Sequence, residues 1–240
     1  MYEIFKPNPW PGLEELEGSE NRGFWVYGSS PNTLQISVDA QVYFQQPLLG
    51  YVDDLAQPGP HPMDGKPVIP YAELPPESWV MIGMTKPAVR QKVYNRCRHD
   101  GHKILTGTGL SPLVPASAQI GQGTFVALHS RTGWNTVLGR GSLVLGDIVA
   151  HDSSLGDFSV LGISSSVLGH VQIGRGVMIA PGAVIHNGRP DRPLTIGDGA
   201  LIGVGAVVDR DVPAGATVMG LRAMPKENIL RLKDLAQEQD

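Results

Sequence analysis

A single cysteine, Cys97, stands among the 240 residues, so no intramolecular disulfide can form. A reducing compartment is expected. No run of apolar residues approaches the ~18 that suggest a membrane-spanning helix. The amino terminus lacks a basic start followed by an apolar stretch, so no secretory leader is expected and the cytoplasm is the expected compartment. Charge is sparse too: 18% of residues are charged and the net charge is −4. That balance gives no electrostatic basis for binding nucleic acid or an anionic membrane. The seven histidines include no pair at i and i+4, and no cysteine pair joins them. No catalytic metal is therefore expected.

Glycine and aliphatic residues are what the chain has. Of 30 glycines, 19 lie between residues 111 and 222. Through the same half an aliphatic residue recurs at every sixth position. The series runs Val114, Ile120, Val126, Thr132, Leu138, Val144, then Val149, Leu155, Leu161, Val167, Ile173, Ile179, Ile185, then Ile196, Ile202, Val208. Glycine follows many of these, as in Ile120-Gly121, Leu138-Gly139 and Ile173-Gly174. A period of six fits neither a helix nor a single strand; it is the mark of a solenoid of short strands and turns. Three units of six close a triangular coil, and the span from Val114 to Val208 suffices for about five coils. The aliphatic residues point inward and stack, because one coil alone cannot bury its interior.

The period breaks twice. One residue is missing between Val144 and Val149. Between Ile185 and Ile196 an insert runs from His186 to Thr195, polar and rich in turn formers, and is expected to leave the coil as a loop. A tolerated surface loop and a binding loop are both open readings.

The first half reads differently. Residues 1–22 are proline-rich and acidic, an extension without evident chemistry. Strand-like stretches follow at residues 23–30, 48–54, 79–84 and 103–105. Helical stretches are expected from Leu34 to Tyr43 and from Pro87 to Arg98. In the second helix Val89, Val93 and Tyr94 form one side, with Arg90, Lys92, Arg96 and Arg98 elsewhere. Such alternation predicts a small parallel α/β unit over residues 23–110. Its first turn, Gly28-Ser29-Ser30, lies where such units meet nucleotides. It keeps only Gly28 of the G-x-G-x-x-G fingerprint, so an ordinary strand–helix turn is an equal reading. Asp53 and Asp54 end the second strand and are candidates to accept hydrogen bonds from an amine or sugar hydroxyls.

Together, the Tyr-Gly-Ser-Ser turn, the Gly-Tyr-Val-Asp-Asp strand end, the Met-Ile-Gly-Met strand and the hexapeptide repeats resemble the sialic-acid O-acetyltransferase and bacillosamine N-acetyltransferase type of sugar acyltransferase. The resemblance covers residues 23–225. It implies an α/β Rossmann-like amino-terminal domain (23–110), a left-handed parallel β-helix (111–222) and a short carboxy-terminal helix (223–240). The left hand comes from the resemblance alone, since parallel crossovers are normally right-handed. It also implies acetyl-CoA as co-substrate, a sugar acceptor that is nucleotide-linked, and a homotrimer with sites between adjacent chains.

Within Ile148 to Phe158, His151 matches the family's catalytic base and Asp152 the acid that raises its basicity. Histidine titrates in the range that proton removal from an attacking amine or hydroxyl requires. A second family histidine that contacts acetyl-CoA falls at Val160, which offers no such hydrogen bond. The family's coenzyme positions carry over to Ala180 and Pro181 and to Gly203, Val204, Gly205 and Ala206. Gly220 to Ala223 stands at a Gly-x-Pro-Ala turn with Arg222 for proline, and Arg222 or Lys226 is a candidate for the coenzyme phosphates. Gly28, Ser29, Ser30, Asp53 and Asp54 are the acceptor-binding candidates. Among the other histidines, His186 is the alternative base, His129 and His170 read as turn residues, and His99 and His102 sit near a helix end. Two further readings stay open: a non-nucleotide amine as acceptor, and a β-helix scaffold without catalysis.

Overall fold

The computed structural model describes residues 23–108, 114–115 and 117–220. The expected extension (1–22) and carboxy-terminal helix (223–240) lie outside the described residues, as do Arg222 and Lys226.

The first unit contains β1 (Phe24–Tyr27), α1 (Pro31–Phe44), β2 (Leu48–Val52), β3 (Gly59–Pro60), β4 (Pro67–Ile69), β5 (Trp79–Ile82), α2 (Pro87–His99) and β6 (Lys103–Ile104). Proline opens both helices, where its missing N–H costs nothing. The Ser30 side chain accepts a hydrogen bond from the Thr33 N–H and caps α1. The sheet order is β3-β4-β2-β1-β5-β6, and every neighbour pair is parallel except β3 with β4. All four residues of β5 are buried, as expected of a parallel strand covered on both faces. The expected strands and helices of residues 23–105 are present, each strand being shorter than its apolar stretch.

The second unit is a stack of short parallel strands forming three faces. Face one holds Gln119–Ile120, Val137–Leu138, Ser154–Leu155, Val171–Ile173 and Leu194–Ile196. Face two runs from Gly107–Thr108 through Phe125–Val126, Leu143–Val144, Val160–Leu161, Met178–Ile179 and Leu201–Ile202 to Thr217–Val218. Face three holds Arg131–Thr132, Ile148–Val149, Ser166–Val167, Val184–Ile185 and Val207–Val208. The sheets stack as in a left-handed β-helix. Inward residues such as Leu138, Val149, Leu161, Val167 and Ile185 are at most 1% exposed and form one continuous core. Each full burial of this kind contributes ~1.5–3 kcal/mol.

Both breaks in the period appear as predicted. Thr132 pairs with Val149 and Val144 with Leu161, one residue short of the regular spacing. Ile185 pairs with Val208, so the insert is left outside the ladder. The loop is shorter than expected, since Leu194 and Thr195 belong to a strand that pairs with Val171 and Gln172. The series also begins earlier: Gly107–Thr108, placed by sequence in the first unit, pairs with Phe125–Val126. Thr132 keeps its hydroxyl in the buried stack without a hydrogen-bond partner.

Among the contacts that fix the first unit on the coil, two stand out. Phe24, Val26, Tyr51, Met81 and Leu105 share a buried cluster with Phe125, Leu143 and Val160. Arg90, expected on the polar side of α2, is instead fully buried. Its guanidinium donates to the carbonyls of Ile82 and Met84 in the first unit and of Gly141 and Ser142 in the coil. Burial lowers its pKa to about 9, so it stays charged at neutral pH. Arg90→Leu removes the shared donor from four carbonyls, of which Ser142 O keeps its bond from the Phe125 N–H. A loss of at least ~3 kcal/mol in unfolding free energy by denaturant titration is expected. A change under ~1 kcal/mol would show that this arginine does not join the units.

Candidate active site at one corner of the coil

Three corners join the faces. The corner between faces three and one comprises residues 133–136, 150–153, 168–170 and the insert after Ile185. Because successive coils pair in register, corner residues form columns. Trp134, His151 and Gly169 make one column; Asn135, Asp152 and His170 make the next. The ladder bonds Asp152 N–H to Trp134 O and His170 N–H to His151 O fix this alignment.

The second column takes the left-handed backbone conformation, with φ of 55° at Asn135, 55° at Asp152 and 57° at His170. Asn, Asp and His are the residues that tolerate it best after glycine. The turn aims Asp152 back at its neighbour: His151 Nδ1 and Asp152 Oδ2 are 2.9 Å apart. Asn135 Nδ2 donates to Asp152 Oδ1 at 3.0 Å. Asn135 first, and His151 second, hold the Asp152 carboxyl below the usual carboxylate range. A lowered carboxyl keeps its contribution above the unfolded value and loses it as pH falls through the folded one. The carboxylate therefore stays ionised around neutrality. An ionised Asp152 can only accept, so it favours the tautomer in which His151 Nδ1–H donates to it and Nε2 keeps the lone pair. The His151 side chain is 55% exposed.

Gly169 makes room for this ring. A Cβ there would lie 2.7 Å from His151 Cε1 and Nε2. Its N–H donates to Asn187 Oδ1 and its carbonyl accepts from Gly188 N–H, so the insert braces the column that holds His151. His170 closes the other side, edge-on to His151 with ring centroids 5.1 Å apart. Sequence spacing hid this contact, because the two rings come from successive coils.

The coenzyme candidates occupy a different corner, between faces two and three. Ala180 and Pro181 lie one coil below Gly203, Val204, Gly205 and Ala206, with Gly205 N–H bonded to Pro181 O. The N–H groups of Ala180, Gly203 and Ala206 are used in coil bonds to Ile202, Val218 and Gly203. What this corner presents is surface: Pro181 and Val204 are exposed, and a Cβ at Gly205 would meet open space. A whole side of the triangle, on the order of 15 Å, separates it from His151. Val160 is 1% exposed within the cluster beneath the first unit, so its side chain offers a coenzyme no surface.

In the first unit, the Gly28-Ser29-Ser30 turn is occupied from within. Ser29 N–H and Oγ both donate to Asp53 Oδ2, the latter at 2.6 Å, while Gly28 N–H donates to Val52 O. An anion here would displace a carboxylate. Asp54 is bound by Tyr27 Oη, the Tyr71 N–H and Arg96. These bonds hold its carboxyl below the ordinary range against the opposing effect of its burial. Sequence reasoning missed His61, which is buried, approaches Ser29 O through Nε2 and stacks on Tyr51 at 4.6 Å. His186, the alternative base, is exposed in the insert and has Nδ1 3.4 Å from Asn187 O. Cys97 is fully buried and its thiol is pushed up to about 11, chiefly by burial, which removes it as a nucleophile.

Residues 152–187 match the bacterial transferase hexapeptide repeat family. Over 140 residues the chain is 35% identical to GDP-perosamine N-acetyltransferase of Escherichia coli O157:H7, covering 58% of this chain and 63% of that relative. The match thus spans less than two thirds of the relative's length. WeeI from Acinetobacter baumannii AYE is 27% identical with a TM-score of 0.73, over 82% of this chain and 97% of that one. The acetyltransferase domain of PglB from Neisseria gonorrhoeae FA1090, solved with acetyl coenzyme A, is 25% identical with a TM-score of 0.72, over 85% and 99%. In sequence and in fold the chain resembles sugar acetyltransferases of the hexapeptide type.

Gly169→Ala tests how the His151 ring is seated. Gly169 does not have a positive φ, so the backbone admits alanine and only the His151 ring must move. A displaced His151 ring in a crystal structure, with unfolding free energy changed by less than ~1 kcal/mol, is expected. An unmoved ring would remove Gly169 from this account.

Proposed function

We propose that this chain transfers an acetyl group from acetyl-CoA to an amine or hydroxyl of a sugar, with His151 as general base. The observation that carries the reading is the ordered set Asn135–Asp152–His151, which leaves one imidazole nitrogen proton-free. The nucleophile attacks the thioester carbonyl while His151 takes its proton. The tetrahedral intermediate collapses, the C–S bond breaks, and the proton passes to the departing thiolate. Backbone N–H groups stabilise the oxyanion. No covalent enzyme intermediate is required, in keeping with the buried Cys97.

We place the coenzyme at Ala180, Pro181, Gly203, Val204, Gly205 and Ala206 of a neighbouring chain in a homotrimer. Support comes from the separation of that corner from His151 and from the apolar side chains around it. Ile163, Val204 and Val207 are 54%, 67% and 71% exposed, more bare aliphatic surface than a single coil column normally leaves to water. The first unit is read as a Rossmann-like acceptor domain, with the Ser29–Asp53 turn and His61 offering hydrogen bonds to the acceptor. GDP-perosamine, named in the similar Escherichia coli enzyme, makes a nucleotide-linked amino sugar the first acceptor to test.

A second reading rests on that same turn. With Asp53 inside it, the turn suits hydroxyl or amine donors better than phosphate, which favours an amine acceptor without a nucleotide.

The test is thiol release from acetyl-CoA with GDP-, UDP- and dTDP-linked amino sugars and with free amino sugars. One acceptor should turn over, and His151→Ala should lower its rate by ~10²–10⁴-fold. Full turnover in the mutant would reject His151 as base. Turnover of free amino sugars alone would select the second reading.

A further inference from the structure

We propose that His151, Asp152 and His170 form a binding site for a divalent transition metal of the zinc class, and that the bound ion shuts off the base. Sequence spacing argued against any metal site because the ligand residues sit in two adjacent coils. The fold closes that gap. Each residue offers one ligand atom, and the three atoms lie within 4.8 Å of one another. Two imidazole nitrogens and one carboxylate oxygen are a donor set that zinc accepts, with a fourth position left to water.

The geometry needs only side-chain rotation. With bonds of ~2.0–2.2 Å, tetrahedral ligand atoms stand ~3.3 Å apart. The His151 and Asp152 atoms, now at 2.9 Å, must open slightly, and the His170 nitrogen must swing inward. His151 and Asp152 are 55% and 40% exposed, so both side chains have room to move. The backbones stay fixed by the ladder bond from His170 N–H to His151 O. Ligation through His151 Nδ1, the atom beside Asp152 Oδ2, leaves Nε2 as the protonated nitrogen of the ring. Asn135 remains on the second carboxylate oxygen as an outer hydrogen bond, the kind of support that orients metal ligands.

The consequence for catalysis follows from the lone pair. With Nδ1 on the ion, a neutral His151 ring carries its proton on Nε2, so the nitrogen assigned as base has no lone pair, and an ion drawing on Asp152 removes the group that orients the ring. Metal binding itself does not depend on the transferase reading; only the inhibition does.

The experiment is calorimetric titration of the untagged full chain with zinc chloride in a non-chelating buffer. Cobalt(II) absorption serves as a second readout of coordination by nitrogen and oxygen. One saturable site per chain is expected, weakened about tenfold or more in His170→Ala and in His170→Gln. Circular dichroism verifies that both variants fold. A His61→Ala control should bind as the wild type does, since His61 and Asp64 form a His–Asp pair elsewhere in the chain with no second histidine in the cluster. Absence of saturable binding, or equal affinity in both His170 variants, would overturn the site. Saturable binding without loss of turnover would keep the site and overturn the inhibition.

Discussion

Everything at the candidate site depends on the stacking of inward aliphatic side chains from coil to coil. Val149 on Val167 and Leu155 on Ile173 leave no freedom of register, because a slip of one residue would turn the buried row outward. Once the inside is locked, the outside is locked with it. Corner residues that are far apart in the chain then stand directly above one another. His151, Asp152 and His170 are neighbours for that reason, and their spacing is a property of the hydrophobic core.

The columns also explain which residues the corner tolerates. A left-handed turn recurs at each coil, and its strain is borne by Asn135, Asp152 and His170. In the adjacent column there is space for one ring between the levels of His151 and Gly169. His151 takes it, and Gly169 above is left bare. The insert returns at the next level, where Asn187 holds the Gly169 N–H. A loop that sequence reading left open between ornament and function thus braces the site's floor. Whether it touches an acceptor is a separate matter from this structural role.

Much of the fold was legible because hexad periodicity is a direct image of the core. The one-residue contraction before Val149 and the insert after Ile185 were visible as phase breaks and reappear as altered pairing. Helix α2 was legible from Pro87, yet the burial of Arg90 was not. Polar residues are normally assigned to solvent, and nothing local marks one whose partners are carbonyls of a distant turn. His170 was read as a turn residue, which it is by backbone; its approach to His151 depends on the coil spacing being applied to side chains. Asp54 looked like a free acceptor at a strand end. Arg96, Tyr27 and the Tyr71 N–H come from elsewhere in the chain and could not be paired with it by spacing. Residues 1–22 and 223–240, including the expected terminal helix, fall outside the described residues.

The base proposed at one corner and the coenzyme proposed at another would meet only across two chains. Co-assembly of two defective chains tests this most directly. One carries His151→Ala. The other carries Pro181→Trp, which fills the exposed coenzyme corner and leaves His151 untouched. Refolded together, they should regain turnover well above that of either alone, because some interfaces then pair an intact base with an intact coenzyme corner. Mixed oligomers no more active than the separate ones would mean that each chain builds its site alone, and the shared-site account would fail.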